Sequence, residues 1–270
     1  MSVSDLRGAS REALDALTEQ VQGVVGEDAA RLGEDLFGVA TLLRSQPGLR
    51  RVVTDPTTDA SAKSDLVRGI LSGKVGDPAL EVVADGVERR WTRPRDLADA
   101  LEHLGVVAVV GSAGDDSDRL SDELFAVARM LGEQGDLRTA LSDPARSTQD
   151  KGALLANILQ DRTLPATLRL AQQALAGSHR SVVAGIEEYQ RLAADAHGQR
   201  VAEVVVAHEL TEQETSRLRE ALSNQYGRKV HLNVVVDPDV LGGVRVEIGD
   251  DVIDGTVSSR LDEARRRLAG

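Results

Sequence analysis

Residues 26–71, GEDAARLGEDLFGVATLLRSQPGLRRVVTDPTTDASAKSDLVRGIL, recur 88 positions later as residues 114–159, GDDSDRLSDELFAVARMLGEQGDLRTALSDPARSTQDKGALLANIL. The alignment needs no gap, and 18 of its 46 positions are identical. A leucine-rich bias can match Leu with Leu. It does not also bring Phe37 onto Phe125, Asp55-Pro56 onto Asp143-Pro144 and Lys63 onto Lys151 in one register. The period is too long for a solenoid unit and is the size of a small domain. The segment is a duplicated domain.

Each copy reads as helical. Leu32, Leu36, Val39 and Leu43 fall at i, i+4, i+7 and i+11, and Leu120, Leu124, Val127 and Leu131 repeat the spacing, which is one stripe of a helix. Pro47-Gly48 ends the first helix, and Asp55-Pro56 and Asp143-Pro144 mark the next turn. A shorter helix is predicted over about 61–72 and 147–160, then another opening at Pro78 or Pro165, where proline suits a first turn. A last helix over about 181–197 places Val182, Ile186, Tyr189 and Ala193 on one face. The corresponding stretch 95–110 lies between the copies and is expected to link them.

The period changes near residue 200. Val201 to Ala207 is rich in β-branched residues and reads as a strand. Thr211-Glu-Gln-Glu214 is a capping box opening a helix with Leu218 and Leu222 on its apolar face, ending near Gly227. Val230, Leu232, Val234 and Val236 alternate with other residues, as do Val244, Val246 and Ile248, so two strands follow. Gly249-Asp250 signals a hairpin returning through Val252 and Ile253. A terminal helix is expected with the stripe Val257, Leu261, Ala264 and Leu268. The fold expected is mainly α: two tandem helical bundles, 1–110 and 111–199, then a small α/β domain, 200–270, with a hairpin and a terminal helix.

Composition narrows the function. The 270 residues carry 32 Lys+Arg against 44 Asp+Glu, a formal net charge of −12. That balance argues against nucleic-acid binding and against docking on an anionic lipid surface, both of which need a basic footprint. Cysteine is absent, which excludes disulfides, thiolate zinc sites and cysteine nucleophiles. Aromatic residues make up 2% of the chain, leaving few platforms for stacking bases, flavins or sugars. The longest apolar run, Gly105 to Val110, is far short of the ~18–20 residues a membrane span requires. Met1 to Gln20 is charged throughout, unlike a signal peptide.

Candidate chemistry is thin. Gly69-Ile-Leu-Ser-Gly73-Lys74-Val75 resembles a phosphate loop one residue short, with Val75 where a magnesium-binding hydroxyl belongs. Helix termination at Gly73 accounts for it. Asp250, Asp251 and Asp254 cluster, but successive strand residues face opposite ways, and hairpin chemistry is the better reading. The histidines His103, His179, His197, His208 and His231 never fall at i, i+4, as a zincin pair would. Neither a nucleophile elbow nor a dinucleotide fingerprint is present. The residues therefore assign no catalytic, cofactor or metal site. They suit an adaptor that binds helices, in whatever complex; the competing reading is a small enzyme whose site the sequence hides.

The run from Val234 to Leu261 narrows the choice. It contains Asp237-Pro238-Asp239, Leu241-Gly242-Gly243, the short strand Val244 to Ile248, Gly249-Asp250, the apolar pair Val252-Ile253, Asp254-Gly255-Thr256, and Arg260-Leu261. This closely resembles the signature of the delta subunit family of bacterial F-type ATP synthase, equivalent to the mitochondrial oligomycin-sensitivity-conferring protein. Leu210-Thr-Glu-Gln, Gly227-Arg-Lys229-Val and Tyr189-Gln-Arg-Leu192 also look like the family. The resemblance covers about residues 115–270; the extra amino-terminal copy is a departure that resembles the enlarged actinobacterial form. It implies a non-catalytic stator component without cofactor, present in one copy per complex, peripheral on the cytoplasmic face of the cell membrane. It implies that the helical domain holds amino-terminal helices of alpha subunits and that the tail engages the b subunits. The second copy, adjoining the tail as in the family, is expected to carry the usual partner surface. Leu241, Gly242, Gly243, Gly249, Asp250, Ile253, Asp254, Gly255, Arg260 and Leu261 are then structural signature residues, and Val257, Leu261, Ala264 and Leu268 the expected stalk contacts.

Overall fold

The computed structural model describes residues 6–177, 179–196, 199–227, 229–249 and 251–257. They are mainly helical, and the chain divides into two compact units, Met1–Ala193 and Ala194–Gly270.

In the first unit, copy one supplies α1 (Ala9–Gln22), α2 (Gly26–Ser45), α3 (Pro47–Val53), α4 (Ala60–Leu71) and α5 (Asp77–Glu88). After α6 (Asp96–Ser112), copy two repeats the series as α7 (Ser117–Glu133), α8 (Gly135–Ser142), α9 (Thr148–Leu159) and α10 (Pro165–Ala176), and α11 (Val182–Ala196) follows. The boundaries obey local chemistry. Proline stands in the first turn of α3, α5 and α10, where its missing N–H has no partner to lose. Ser147 caps α9 by accepting from the Asp150 N–H at 3.0 Å. The stripes expected from periodicity are the packing faces: all four stripe residues of α2 and all four of α7 are buried. Burial of each leucine contributes roughly 1.5–3 kcal/mol. On α11, Ile186, Tyr189 and Ala193 are buried as expected and Val182 partly so. Gly73 lies just past the end of α4, not between a strand and a helix.

The stretch 95–110, expected as a link, is nearly all the central helix α6. Its apolar residues face every direction: Leu97, Leu101 and Leu104 enter the core of copy one, while Val106, Val109 and Val110 enter that of copy two. A helix that is apolar all round belongs in the middle of a protein. By chain order α6 closes copy one as α11 closes copy two, and it precedes α7 as α1 precedes α2. One helix serves both copies, and the division expected after residue 110 falls inside it. Gly33 of α2 and Gly105 of α6 let the two backbones approach. A Cβ on Gly33 would lie 2.8 Å from the Gly105 carbonyl oxygen, and one on Gly105 would lie 2.6 Å from the Phe37 ring. Through that gap Phe37, a copy-one residue, joins the core of copy two.

The second unit is a four-stranded sheet with one packed helix: β1 (Gln199–Val206), α12 (Glu212–Tyr226), β2 (Lys229–Val236), β3 (Val244–Ile248) and β4 (Asp251–Asp254), in the order β2-β1-β3-β4. β1 and β2 run parallel, which requires a crossover, and α12 supplies it. The capping box opens α12 as read: the Thr211 N–H donates to Glu214 at 2.8 Å and the Glu214 N–H to the Thr211 hydroxyl at 3.3 Å. Ala202, Val204, Val206, Val230, Leu232, Val246 and Ile248 form the core with Leu222 of α12. β3 returns antiparallel as β4 with Ile248 opposite Asp251, the hairpin expected at Gly249-Asp250. Asp250 itself, and all of the expected terminal helix beyond Val257, lie outside the described residues.

Candidate functional site

In the second unit the signature residues build a turn that holds apolar side chains in the open. Gly242 and Gly243 have φ of 145° and 85°, conformations that favour glycine. A Cβ on Gly243 would overlap the Gly255 carbonyl oxygen and lie 2.8 Å from Thr256 Cα. The two segments are stitched at that point: the Gly255 N–H donates to the Val244 carbonyl and the Val257 N–H to the Gly242 carbonyl, each at 2.9 Å. Asp254 accepts from the Thr256 N–H at 3.0 Å and from its hydroxyl at 2.7 Å. Those two donors, the backbone one foremost, hold its carboxyl below the usual aspartate range. The Asp254 side chain is thus occupied in closing a turn. Gly249, with φ of 60°, starts the β3–β4 connection.

Around this turn Leu241 is 78% exposed, Val252 56%, Val257 42% and Ile253 38%. Leu241 and Ile253, read from the sequence as structural signature residues, therefore present apolar surface, next to the one expected stalk contact that is described, Val257. Leu261, Ala264 and Leu268 lie outside the described residues, as does Arg260. Gly243→Ala should strain this turn and destabilise the second unit by about 1–3 kcal/mol. Hydrogen exchange of the Gly255 and Val257 amides checks this, and unchanged protection would contradict it.

The first unit contains a buried polar network that periodicity did not show. Arg44 of α2 donates to Glu102 and, at 3.0 Å, to Asp99, both on α6. The Tyr189 hydroxyl of α11 donates to Glu102 at 2.8 Å. Gln173 of α10 reaches the same oxygen at 3.5 Å. Burial would raise the Glu102 carboxyl, but the Arg44 charge and the Tyr189 hydroxyl together hold it below its ordinary range. Burial and the Glu102 carboxylate push Tyr189 well up. Gly177 leaves room for the pair, since a Cβ there would overlap the Glu102 carboxylate. The His179 ring meets the Tyr189 ring edge-on, with centroids 5.3 Å apart.

Beside this network the copies enclose an open cleft of about 600 Å³ lined by Phe37, Thr41, Gly152, Arg169 and Gln172, among others. Arg169 of α10 lies over the Phe37 ring, 4.8 Å from its centroid, and pairs with Glu34 at 3.5 Å. The sequence offered one signal for the seam, the two phenylalanines in equivalent positions. Nothing in the sequence singled out Glu102 or Arg44.

Arg44, its two carboxylate partners, Tyr189 and Gln173 tie four helices together, and the tail presents apolar side chains around a glycine-built turn. Fold and site together define an assembly subunit, a protein that works by holding other proteins. The chain belongs to the ATP synthase delta (OSCP) subunit family, whose sequence model matches residues 106–268. That match begins inside α6 and takes in copy two and the tail. Among its relatives, the ATP synthase subunit delta of a Nocardioides strain is 61% identical over 271 residues, spanning 99% of this chain and 98% of that one. That of Kineococcus radiotolerans is 47% identical over 249 residues, spanning 91% and 90%. That of Streptomyces griseus is 40% identical over 265 residues, spanning 97% and 96%. The first copy is therefore shared with these relatives. A chain of the Toxoplasma gondii mitochondrial ATP synthase hexamer aligns with 57% of this chain and 97% of its own length, at 20% identity and a TM-score of 0.33.

Proposed function

We propose that this chain, a stator subunit of ATP synthase, bridges the catalytic head and the b subunits of the peripheral stalk on the cytoplasmic face of the membrane. Its helical unit holds amino-terminal helices of alpha subunits, and its tail holds the end of the b subunits. The physical task is to keep the head from turning with the rotor, so that proton-driven torque strains the catalytic sites. The observation that carries the reading is the family signature itself. It folds into a glycine-built turn whose neighbours Leu241, Val252, Ile253 and Val257 stand exposed, the apolar surface a helical partner needs. The expected terminal stripe Leu261, Ala264 and Leu268 continues from Val257 in sequence and is assigned to the same contact.

The test is reassembly. Membranes stripped of this subunit should recover proton pumping on addition of the full chain. The Leu241→Asp/Val252→Asp variant, and separately Leu261→Ser/Leu268→Ser, should bind a soluble b-subunit dimer at least about tenfold more weakly while melting like the parent. Undiminished stalk affinity in a folded variant removes the assignment.

A further inference from the structure

The sheet of the second unit has two edges, β2 and β4, and they differ. At β2 the Val230 N–H is taken by the Ser223 hydroxyl of α12 at 3.1 Å, and Val230 and Leu232 are buried. At β4 all four residues are exposed. Residues of an antiparallel strand alternate between bonding their neighbour and pointing away from it. The Gly255 and Val257 N–H groups reach back to the Val244 and Gly242 carbonyls. Asp251 and Ile253, opposite Ile248 and Val246, are in the same phase. Val252 and Asp254 are in the other phase, so their backbone N–H and C=O groups point outward. Among the described residues nothing bonds to those groups. Two residues on, the Thr256 N–H is taken by the Asp254 carboxylate at 3.0 Å, and the open edge ends there. What is left is short. It is apolar at Val252 and Ile253 and bounded by the carboxylates of Asp251 and Asp254.

We propose that β4 accepts an extended segment of another ATP synthase subunit as a fifth strand, apolar where it passes Val252 and Ile253 and basic where it passes Asp251. The proposal rests on the stator reading and deepens it at the same surface: beside the apolar side chains around the glycine-built turn, the sheet edge takes a strand. Unpaired edge groups are a template for a further strand, in which main-chain bonds supply affinity and alternate side chains supply choice. The acids select the occupant. The Asp254 carboxylate is spent on its own turn. That of Asp251 is exposed and has no ion-pair partner among the described residues, so a Lys or Arg on the incoming strand neutralises it. A second copy of this chain does not fit. It would lay one acidic strand along another, where like charges oppose pairing, between chains that each carry a net charge of −12. The partner is therefore heterologous and basic at the contact.

Two measurements on the full chain decide it. The first is hydrogen exchange of the Val252 and Asp254 amides, in the free subunit and after rebinding to membranes stripped of it. Rebinding should slow both amides by at least about tenfold. The second compares variants. Val252→Pro removes an outward N–H and leaves the β3–β4 ladder intact, since proline is tolerated at such an edge position. Val252→Ala removes the side chain and keeps the N–H. The proline variant should rebind about tenfold more weakly than the alanine variant, with the same melting temperature. Asp251→Lys should rebind about fivefold more weakly than the parent. Unchanged exchange at both amides in a rebound subunit overturns the proposal, as does equal rebinding by the folded proline and alanine variants. If the proline variant does not fold, the exchange measurement decides alone. Undiminished rebinding by Asp251→Lys overturns the basic occupant. A parent chain that fails to rebind refutes the stator reading itself, and the proposed strand falls with it; rebinding without protection refutes the strand alone.

Discussion

Glu102→Ala should cost the helical unit about 3–5 kcal/mol, the loss typical of breaking a buried ion pair from one side. The reason lies in what is left behind. The Arg44 guanidinium would keep Asp99 at 3.0 Å but lose the carboxylate that neutralises it in the interior. The Tyr189 hydroxyl would lose its acceptor. Among the described residues the second terminal nitrogen of Arg44 already has no hydrogen-bond partner, so the cation has little to fall back on. The Glu102→Leu/Arg44→Met double variant should recover most of the loss, because replacing both charges by apolar groups removes the desolvation penalty along with the attraction. Trp91 makes the measurement direct. It is the chain's single tryptophan, it packs against the copy-one core, and its indole N–H donates to the Gly86 carbonyl at 2.8 Å. In urea, the fluorescence midpoint of Glu102→Ala should fall by roughly 1–2 M. A fall of less than about 0.3 M would mean that the network is ornamental.

The same network shows where reading a sequence stops. A stripe such as Leu120, Leu124, Val127 and Leu131 announces itself, since hydrophobic spacing is a local property of the chain. The capping box at Thr211 and the hairpin signal beginning at Gly249 are local too, and the structure uses each as read. Arg44 and Glu102 are 58 residues apart, and Glu102 and Tyr189 are 87 apart. A charge on a helix looks the same whether it meets water or a partner from another helix. Tyr189 was legible as an apolar-face residue, and its ring is buried, but nothing in the spacing said that its hydroxyl would meet a carboxylate. The place of helix α6 in both cores was hidden for a related reason. Asp96 and Glu102 are buried along with its apolar residues, so the stripe they stand on is not turned to water, and periodicity reports contrast between faces without saying what each face meets. Its double membership follows from packing two copies at once, which no window of sequence contains.

Double membership has a mechanical consequence. Two domains on a flexible linker would dissipate torque in hinge motion, since interdomain movement is the default where interfaces are small and polar. Here α6 carries both cores, and Glu102, near its middle, is bonded to a copy-one arginine and a copy-two tyrosine. The helical unit of a torque-resisting subunit is thereby one body, with the extra copy built into it.

Acid should weaken the helical unit well before its carboxylates titrate, and His103 is the reason. The ring lies on α6 with its Nδ1 buried and without a hydrogen-bond partner among the described residues. Burial pushes its pKa down from 6.5 to about 4. Glu188 of α11, Glu102 beside it and Asp15 of α1 pull the other way, Arg11 of α1 opposes them, and burial prevails. The sign follows from proton uptake. Above pH 6.5 the ring is neutral folded and unfolded, and stability is complete. Between pH 6.5 and 4 only the unfolded chain takes up this proton, so stability falls by on the order of 3 kcal/mol across that interval. Below it both states are protonated and the loss levels off. Burial also lowers His179, which adds loss of the same sign, so the informative quantity is the difference between the parent and His103→Leu. Urea titrations followed at Trp91 at pH 7, 5.5 and 4.5 should show the parent losing stability faster than the variant. The excess is about 1.4 kcal/mol per pH unit over the middle of the range. Parallel curves would show that His103 is protonated in the folded protein at its ordinary pKa, and that the interior of α6 is wetter than its packing indicates.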